Sequence, residues 1–326
     1  MQDPIGIPAC FSSNDRQQFA DDPSATITRS GQSAFMSTYR ARISDQCRLI
    51  TVAWCKNMLL HGLSISVDGL NGDAHFHSCK IELKPWYFWR KNGSKRFHLT
   101  LDGGASKAVD VFWDLRCAKF NGETEPVSDY YVAVVCDEEV VLLVGDLKMD
   151  AYRKTKCRPS LTDPVLISRK EHIFGKNKFV TRVKFHEKEP KSHQILIECR
   201  ARVSAAATKG GLEPEMEMEI RVDGNVAVNV RNLQWKFRGN ESVQVSKYKV
   251  EVYWDVHDWL FSPGLRHGLF IFKPVLHSSN SPPSATFSSS STPLSSQSGS
   301  SLGSGDYGHS LGFSEFCLFL YAWKIE

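Results

Sequence analysis

From residue 34 onward, hydrophobic and polar positions alternate with a period of two in one short stretch after another. In AFMSTYRARI, Phe35, Tyr39, Ala41 and Ile43 fall on one side of an extended chain, and Thr38, Arg40 and Arg42 on the other. In EMEMEIRV, Met216, Met218, Ile220 and Val222 alternate with Glu215, Glu217, Glu219 and Arg221. This is the pattern of antiparallel strands with one packed and one wet face. A helical pattern is expected only in DLKMDAYRKTK at 146–156, with Asp146 as N-cap, cations in its last turn and Pro159 just beyond. One short helix in a strand-rich chain predicts an all-β protein.

The strands repeat in order. VDVFWD at 109–114 is matched by VEVYWD at 250–255, and LSISVDG at 63–69 by MEIRVDG at 218–224. Between these pairs, WYFWRKNGS at 86–94 resembles LQWKFRGNES at 233–242. Ahead of them, the Phe35 strand corresponds to Phe179, Val183 and Phe185, and Ile50, Val52 and Trp54 correspond to Ile195, Ile197 and Cys199. The same order in both copies predicts two related antiparallel halves, each a sandwich or an up-and-down barrel.

The expected organisation is a disordered N-terminal segment (1–33), a first β-half (34–146), a basic helical linker (147–164) and a second β-half (165–277). A Ser-rich loop (278–314) and a final strand (315–326) follow. The loop holds 15 serines in the 33 positions 278–310, a composition that cannot offset ordering entropy by burial and predicts disorder. The first half ends in a hairpin, YVAVVC and VVLLVG around an Asp137–Glu138 turn. By analogy GLFIFK at 268–273 pairs with FCLFLYAW at 316–323, which makes the Ser-rich segment an expanded hairpin loop and returns the last strand to the sheet.

Composition adds limits. Nine cysteines are scattered singly with no C-x-x-C pair, and MQDPIGIPACFSSNDRQQ lacks the apolar run of a signal peptide. A soluble chain in a reducing compartment, with free thiols and no transmembrane segment, is expected. Net charge is only +4, but residues 148–191 hold 13 Lys and Arg against 5 Asp and Glu, which leaves the remainder at −4. Arg153, Lys154, Lys156 and Arg158 are the densest part of this band and the candidate contact for an anionic partner, whether headgroup, nucleic-acid phosphate or acidic protein face. Nucleic acid ranks low, because aromatic and basic residues are not interleaved as in a recognised module.

Candidate chemistry is sparse. The G-x-S-x-G at 299–303 and G-x-G-x-x-G at 303–308 lie in the Ser-rich loop, without the strand–turn–helix context that gives either a mechanism. Asn92–Gly93–Ser94 and Asn240–Glu241–Ser242 read as turn residues, with Asn92–Gly93 as a hairpin corner. His75 and His77 would share a strand face but have no third ligand in view, so no metal or cofactor is expected. Trp113 and Trp254 continue the core faces of their strands. Phe112 and Tyr253 point the other way, as a second packed face or an exposed aromatic patch. Ser281–Pro282 and Thr292–Pro293 have the form that proline-directed kinases read, so Ser281 and Thr292 are candidate phosphorylation sites.

IPACF, ITVAWCKN, GLSISVD, KPWYFWRKNGSK, VDVFWDLRCAKF, YYVAVVCDEEVVLLVGDLK, AYRKTK, VEVYWDVHDWLF and HGLFIF together resemble the plant family called domain of unknown function 868. The resemblance covers essentially the whole chain outside the Ser-rich segment. It implies a soluble plant protein, cytoplasmic or nuclear, and carries no activity or catalytic residue. The expected function is that of a non-enzymatic binding or adaptor protein, with the basic linker and a regulatory disordered loop as working surfaces. The alternative is a carrier for a small apolar ligand held inside one β-half.

Overall fold

The computed structural model describes residues 33–56, 61–68, 77–83, 91–100, 104, 106–186, 189, 191–202, 215–264, 266–275 and 316–325. The first eight strands are β1 (Ser33–Ile43), β2 (Gln46–Lys56), β3 (His61–Asp68), β4 (His77–Leu83), β5 (Asn92–Thr100), β6 (Ser106–Asp114), β7 (Tyr131–Cys136) and β8 (Glu139–Gly145). Helix α1 (Lys148–Thr155) and the two-residue β9 (Arg158–Pro159) lead to β10 (Val165–Gly175). Then come β11 (Lys178–Val183), β12 (His193–Arg202), β13 (Glu215–Val222), β14 (Asn225–Val230), β15 (Arg238–Val245) and β16 (Tyr248–Asp255). Helix α2 (His257–Phe261), β17 (Arg266–Val275) and β18 (Cys317–Lys324) complete the set. The fold is all-β.

The described strands form three open sheets, and none of these closes into a barrel. The largest has nine strands in the order β15-β16-β17-β18-β10-β1-β2-β3-β4, and the others run β5-β6-β7-β8-β9 and β11-β12-β13-β14. The large sheet is continuous because β10 pairs antiparallel with β1 on one side and parallel with β18 on the other. Backbone hydrogen bonding across β1 and β10 unites strands that precede and follow α1, and β18 sits between β10 and β17.

Directly opposed residues on neighbouring strands share a face, so the registers trace rows across the large sheet. One row runs Leu63, Trp54, Phe35, Glu171, Leu320, Phe270, Trp254. Its first three residues lie in the core against the β5–β9 sheet, and its last three in the core against the β11–β14 sheet. Both small sheets thus cover the same face of the large one, side by side. The two cores are separate apolar clusters.

Three expectations need correction. First, α1 begins at Lys148 with Leu147 in the N-cap position and no side-chain cap. Asp146 instead accepts the backbone N–H groups of Asp129 (3.0 Å) and Tyr130 (3.1 Å), closing the loop before β7. Second, the chain has two helices rather than one among the described residues. Helix α2 is five residues long, too short to show a helical period, and is anchored by Trp259, whose Nε1–H donates to the Ala322 carbonyl at 2.8 Å. Third, Asn92–Gly93 is not a hairpin corner. Gly93 lies inside β5 opposite Trp113, and Gly239 lies in β15 opposite Trp254. A Cβ there would come within 3.0 Å of the Trp113 ring and 2.4 Å of the Trp254 ring, so each glycine makes room for an indole. The turn between β7 and β8 does use Asp137 and Glu138, at φ 51° and 61°, the left-handed pair of a tight hairpin.

Candidate functional site

The packed face of the large sheet turns polar at the seam. In the row above, Glu171 stands between Phe35 and Leu320, and in the next row Ser37 and Arg169 stand between Val52 and Leu318. Ser37 and Glu171 are buried. Buried polar groups need partners, and Glu171 has them. Arg169 Nε–H donates to Glu171 Oε1 at 2.7 Å, and the Thr181 hydroxyl on β11 donates to Glu171 Oε2. The Arg169 guanidinium also lies 4.1 Å from the centre of the Phe35 ring, a cation–π contact. Arg169 thus ties the β10 floor to β1, and Thr181 ties it to the neighbouring small sheet.

Above this floor the two small sheets stand apart and leave an open cleft of about 1230 Å³. One wall is β11 with its continuation to His186, and the other is the 123–127 segment with Tyr130. Glu125 faces Arg169 and Glu171 and is hydrogen-bonded to Tyr130. Burial pushes its carboxyl up to about 7, with Glu171 adding to the rise and Arg169 opposing it. Burial, followed by the nearby Glu125, also raises the Tyr130 hydroxyl, which stays neutral. The cleft mouth carries Arg40, Arg182 and Lys184. The last two are exposed on the β11 wall and make no ion pair with a described residue.

On the opposite face of the large sheet, His172, Tyr321, Trp323 and His267 form an aromatic stack. The His172 and Tyr321 rings are 4.6 Å apart and 6° from parallel, and those of His267 and Trp323 are 4.7 Å apart. Trp323 Nε1–H donates to His172 Nδ1 at 3.0 Å, and burial pulls the His172 pKa down to about 3, so this imidazole is a neutral acceptor. It is a packed structural group.

The sequence-expected contacts are spread over the molecule. Arg153, Lys154, Lys156 and Arg158 are exposed, on and just after α1, which packs on the outer face of the β5–β9 sheet through the buried Ala151. Two of them are paired: Arg153 with Asp150 at 2.9 Å and Arg158 with Glu139 at 2.6 Å. Farther along the band, Arg169 and Lys170 lie on β10 and Lys178 and Arg182 on β11, in two other sheets, so the band divides into an α1 part and a cleft part. Phe112 and Tyr253 do not form one patch. Phe112 is half-buried against the cluster under α1, whereas Tyr253 is exposed on the large sheet, its hydroxyl bonded to Glu251 at 2.9 Å. Ser281, Thr292, both glycine motifs and His75 lie outside the described residues, as does the side chain of His77. Trp113 and Trp254 are core residues. No group of three or more potential metal-ligating side chains occurs among the described residues. Among them, no helix is long and apolar enough to cross a membrane.

The cleft itself was missed at the level of sequence. The signal that could have found it is ISRKEHIF at 167–174, where an arginine and a glutamate occupy the packed face of a central strand. Comparison with known proteins adds a family match over residues 30–324, to the model described as plant protein of unknown function (DUF868). No curated protein and no solved structure matches the chain.

Proposed function

Since the chain belongs to this plant family of unknown function, membership brings no activity with it, and we propose from the geometry that the protein is a non-enzymatic binding or adaptor protein whose seam cleft receives part of a partner. The observation that carries this reading is the cleft of about 1230 Å³, floored by Arg169 and Glu171 where the halves share a sheet. Its volume exceeds the roughly 300–1,000 Å³ usual for small-molecule pockets and suits a segment of a macromolecule. A binding role is favoured over catalysis because both Glu171 oxygens are engaged by Arg169 and Thr181, which makes the pair a fixed platform. The alternative, an apolar ligand inside one half, gains no support from a cleft that lies between the halves.

The exposed cations of the cleft are given the main role and those of α1 the lesser one, because Arg153 and Arg158 are already paired. The free thiols among the described residues support a reducing site of action, cytoplasmic or nuclear. In this reading the two halves are copies of one eight-strand unit, and the Ser-rich segment is regulatory through Ser281 and Thr292. The test is proximity labelling in plant cells with three full-length forms of equal thermal stability: wild type, Arg182→Glu/Lys184→Glu, and Arg153→Glu/Lys154→Glu/Lys156→Glu. The double variant is expected to lose neighbours that the triple α1 variant keeps. Identical neighbours for all three forms refute the cleft as the working surface.

A further inference from the structure

Strand β11 is an edge. Among the described residues it pairs with β12 and with no strand on its other side. An edge strand holds a row of N–H and C=O groups directed away from its partner. Most sheet edges look onto bulk solvent, but this one looks into the cleft. Consecutive residues Val180, Thr181 and Arg182 all line the cavity. Their side chains alternate, with Thr181 buried and Val180 and Arg182 exposed. Thr181, in the middle of the strand, hydrogen-bonds Glu171 on the cleft floor, which sets this edge beside the cavity. The floor beside it is rigid, because β1 and β10 are each paired on both sides.

We infer that the β11 edge takes up an extended acidic peptide from a partner protein by strand addition, as a fifth strand of the β11–β14 sheet lying in the seam cleft. This rests on the reading of the cleft as the working site and specifies its occupant. Three features fix the chemistry. The six residues of β11 present about 20 Å of edge, the span of an ordinary strand. Val180, 45% exposed, offers an apolar contact for alternate side chains of the incoming strand. Lys178, Arg182 and Lys184, all exposed at every second or fourth position, make the β11 side of the approach positive. Cations also protect bare edges against self-association. An acidic strand is the one sequence class that such an edge attracts while repelling copies of itself. The hydrogen bonds of strand addition are to backbone, so affinity resides in the edge, and sequence preference resides in the charges and in Val180.

The test is selection of a random twelve-residue peptide library on the full chain, followed by hydrogen exchange on the winners. Enriched peptides are expected to be acidic on alternate positions. They should slow amide exchange within 178–186 and lose about tenfold or more in affinity when alternate backbone nitrogens are methylated. Arg182→Glu/Lys184→Glu should weaken them to a similar extent, while Lys154→Glu/Lys156→Glu leaves them unchanged. Strand addition is overturned if no peptide is enriched or if methylated and unmethylated forms bind equally. Protection confined to α1, or to the face carrying Tyr253, overturns it too. Peptides that protect cleft residues but tolerate methylation would refute strand addition and leave the cleft reading standing. Peptides that protect only regions outside the cleft remove both. Displacement by residues 1–32 added as a free peptide, with the same protection pattern, would assign the edge to the chain's own N-terminal segment and overturn the partner.

Discussion

Replacing Gly239 by alanine tests the tryptophan seat, and Gly93 supplies an internal control. Both glycines sit in outer strands opposite an indole, and neither has the positive φ that would strain an alanine. In the absence of a clash, alanine would stabilise each site by roughly 0.4–1 kcal/mol through the unfolded chain. At Gly239 the new Cβ would stand 2.4 Å from Trp254 Cζ2, with two further ring atoms at 2.9 and 3.0 Å. The ring cannot simply turn aside, since it is buried and its Nε1–H donates to the Lys236 carbonyl at 3.1 Å. Overpacking of this kind costs about 1–3 kcal/mol. The net loss for Gly239→Ala is then about 1–2 kcal/mol, equivalent to a fall in Tm of roughly 3–6 °C for a cooperative unit of this size. At Gly93 the closest ring atom is 3.0 Å away, a gap that a shift of a few tenths of an ångström relieves. Gly93→Ala should stay within about 0.5 kcal/mol of wild type. Urea unfolding followed by tryptophan fluorescence reads both. Equal stabilities for the two variants, or a larger loss at Gly93, would refute the assignment of these glycines to ring clearance.

Three further outcomes follow from the seam and the cores. Glu125, raised to about 7 in the folded protein from 4.5, binds more protons folded than unfolded in that interval, so its contribution to stability is present below pH 4.5 and lost as the pH rises through 7. Glu125→Gln should flatten that part of the urea-midpoint profile between pH 5 and 8, and an unchanged slope would contradict the buried placement of this carboxyl. Arg169→Met leaves the Glu171 carboxylate buried without its cation and should cost about 2–3 kcal/mol, partly recovered in Arg169→Met/Glu171→Gln, as measured by chemical denaturation. Trp259→Phe removes the donor to the Ala322 carbonyl and should cost about 2 kcal/mol by thermal melting.

Period-two alternation made the strands and their packed faces legible, from Ile50, Val52 and Trp54 to Val250, Val252 and Trp254. The Asp137–Glu138 hairpin was legible because two polar residues separate two apolar runs. Alternation says which side of a strand is buried and nothing about which strand lies beside it. For that reason the union of β1 with β10, and with it the nine-stranded sheet, could not be read. The cleft follows from that union and was hidden with it. Asp146 looked like a helix cap because Asp is a good cap, but the loop before β7 had two N–H groups closer to hand. Asn92–Gly93 carried the composition of a turn, while the residue that explains Gly93 is Trp113, twenty positions away in sequence and directly opposite in the sheet.

The position of β18 sets an order of events during synthesis. It inserts between β17 and β10, and 41 residues separate the end of β17 from its start. At roughly 5–20 residues per second, several seconds pass between the completion of β17 and the emergence of its neighbour. Throughout that interval the inner edges of β10 and β17 stand open, together with the apolar row of Phe270 and Phe272 that β18 later covers. The nascent chain therefore holds two mutually compatible strand edges that must wait for a third element instead of closing on each other or on a neighbouring chain.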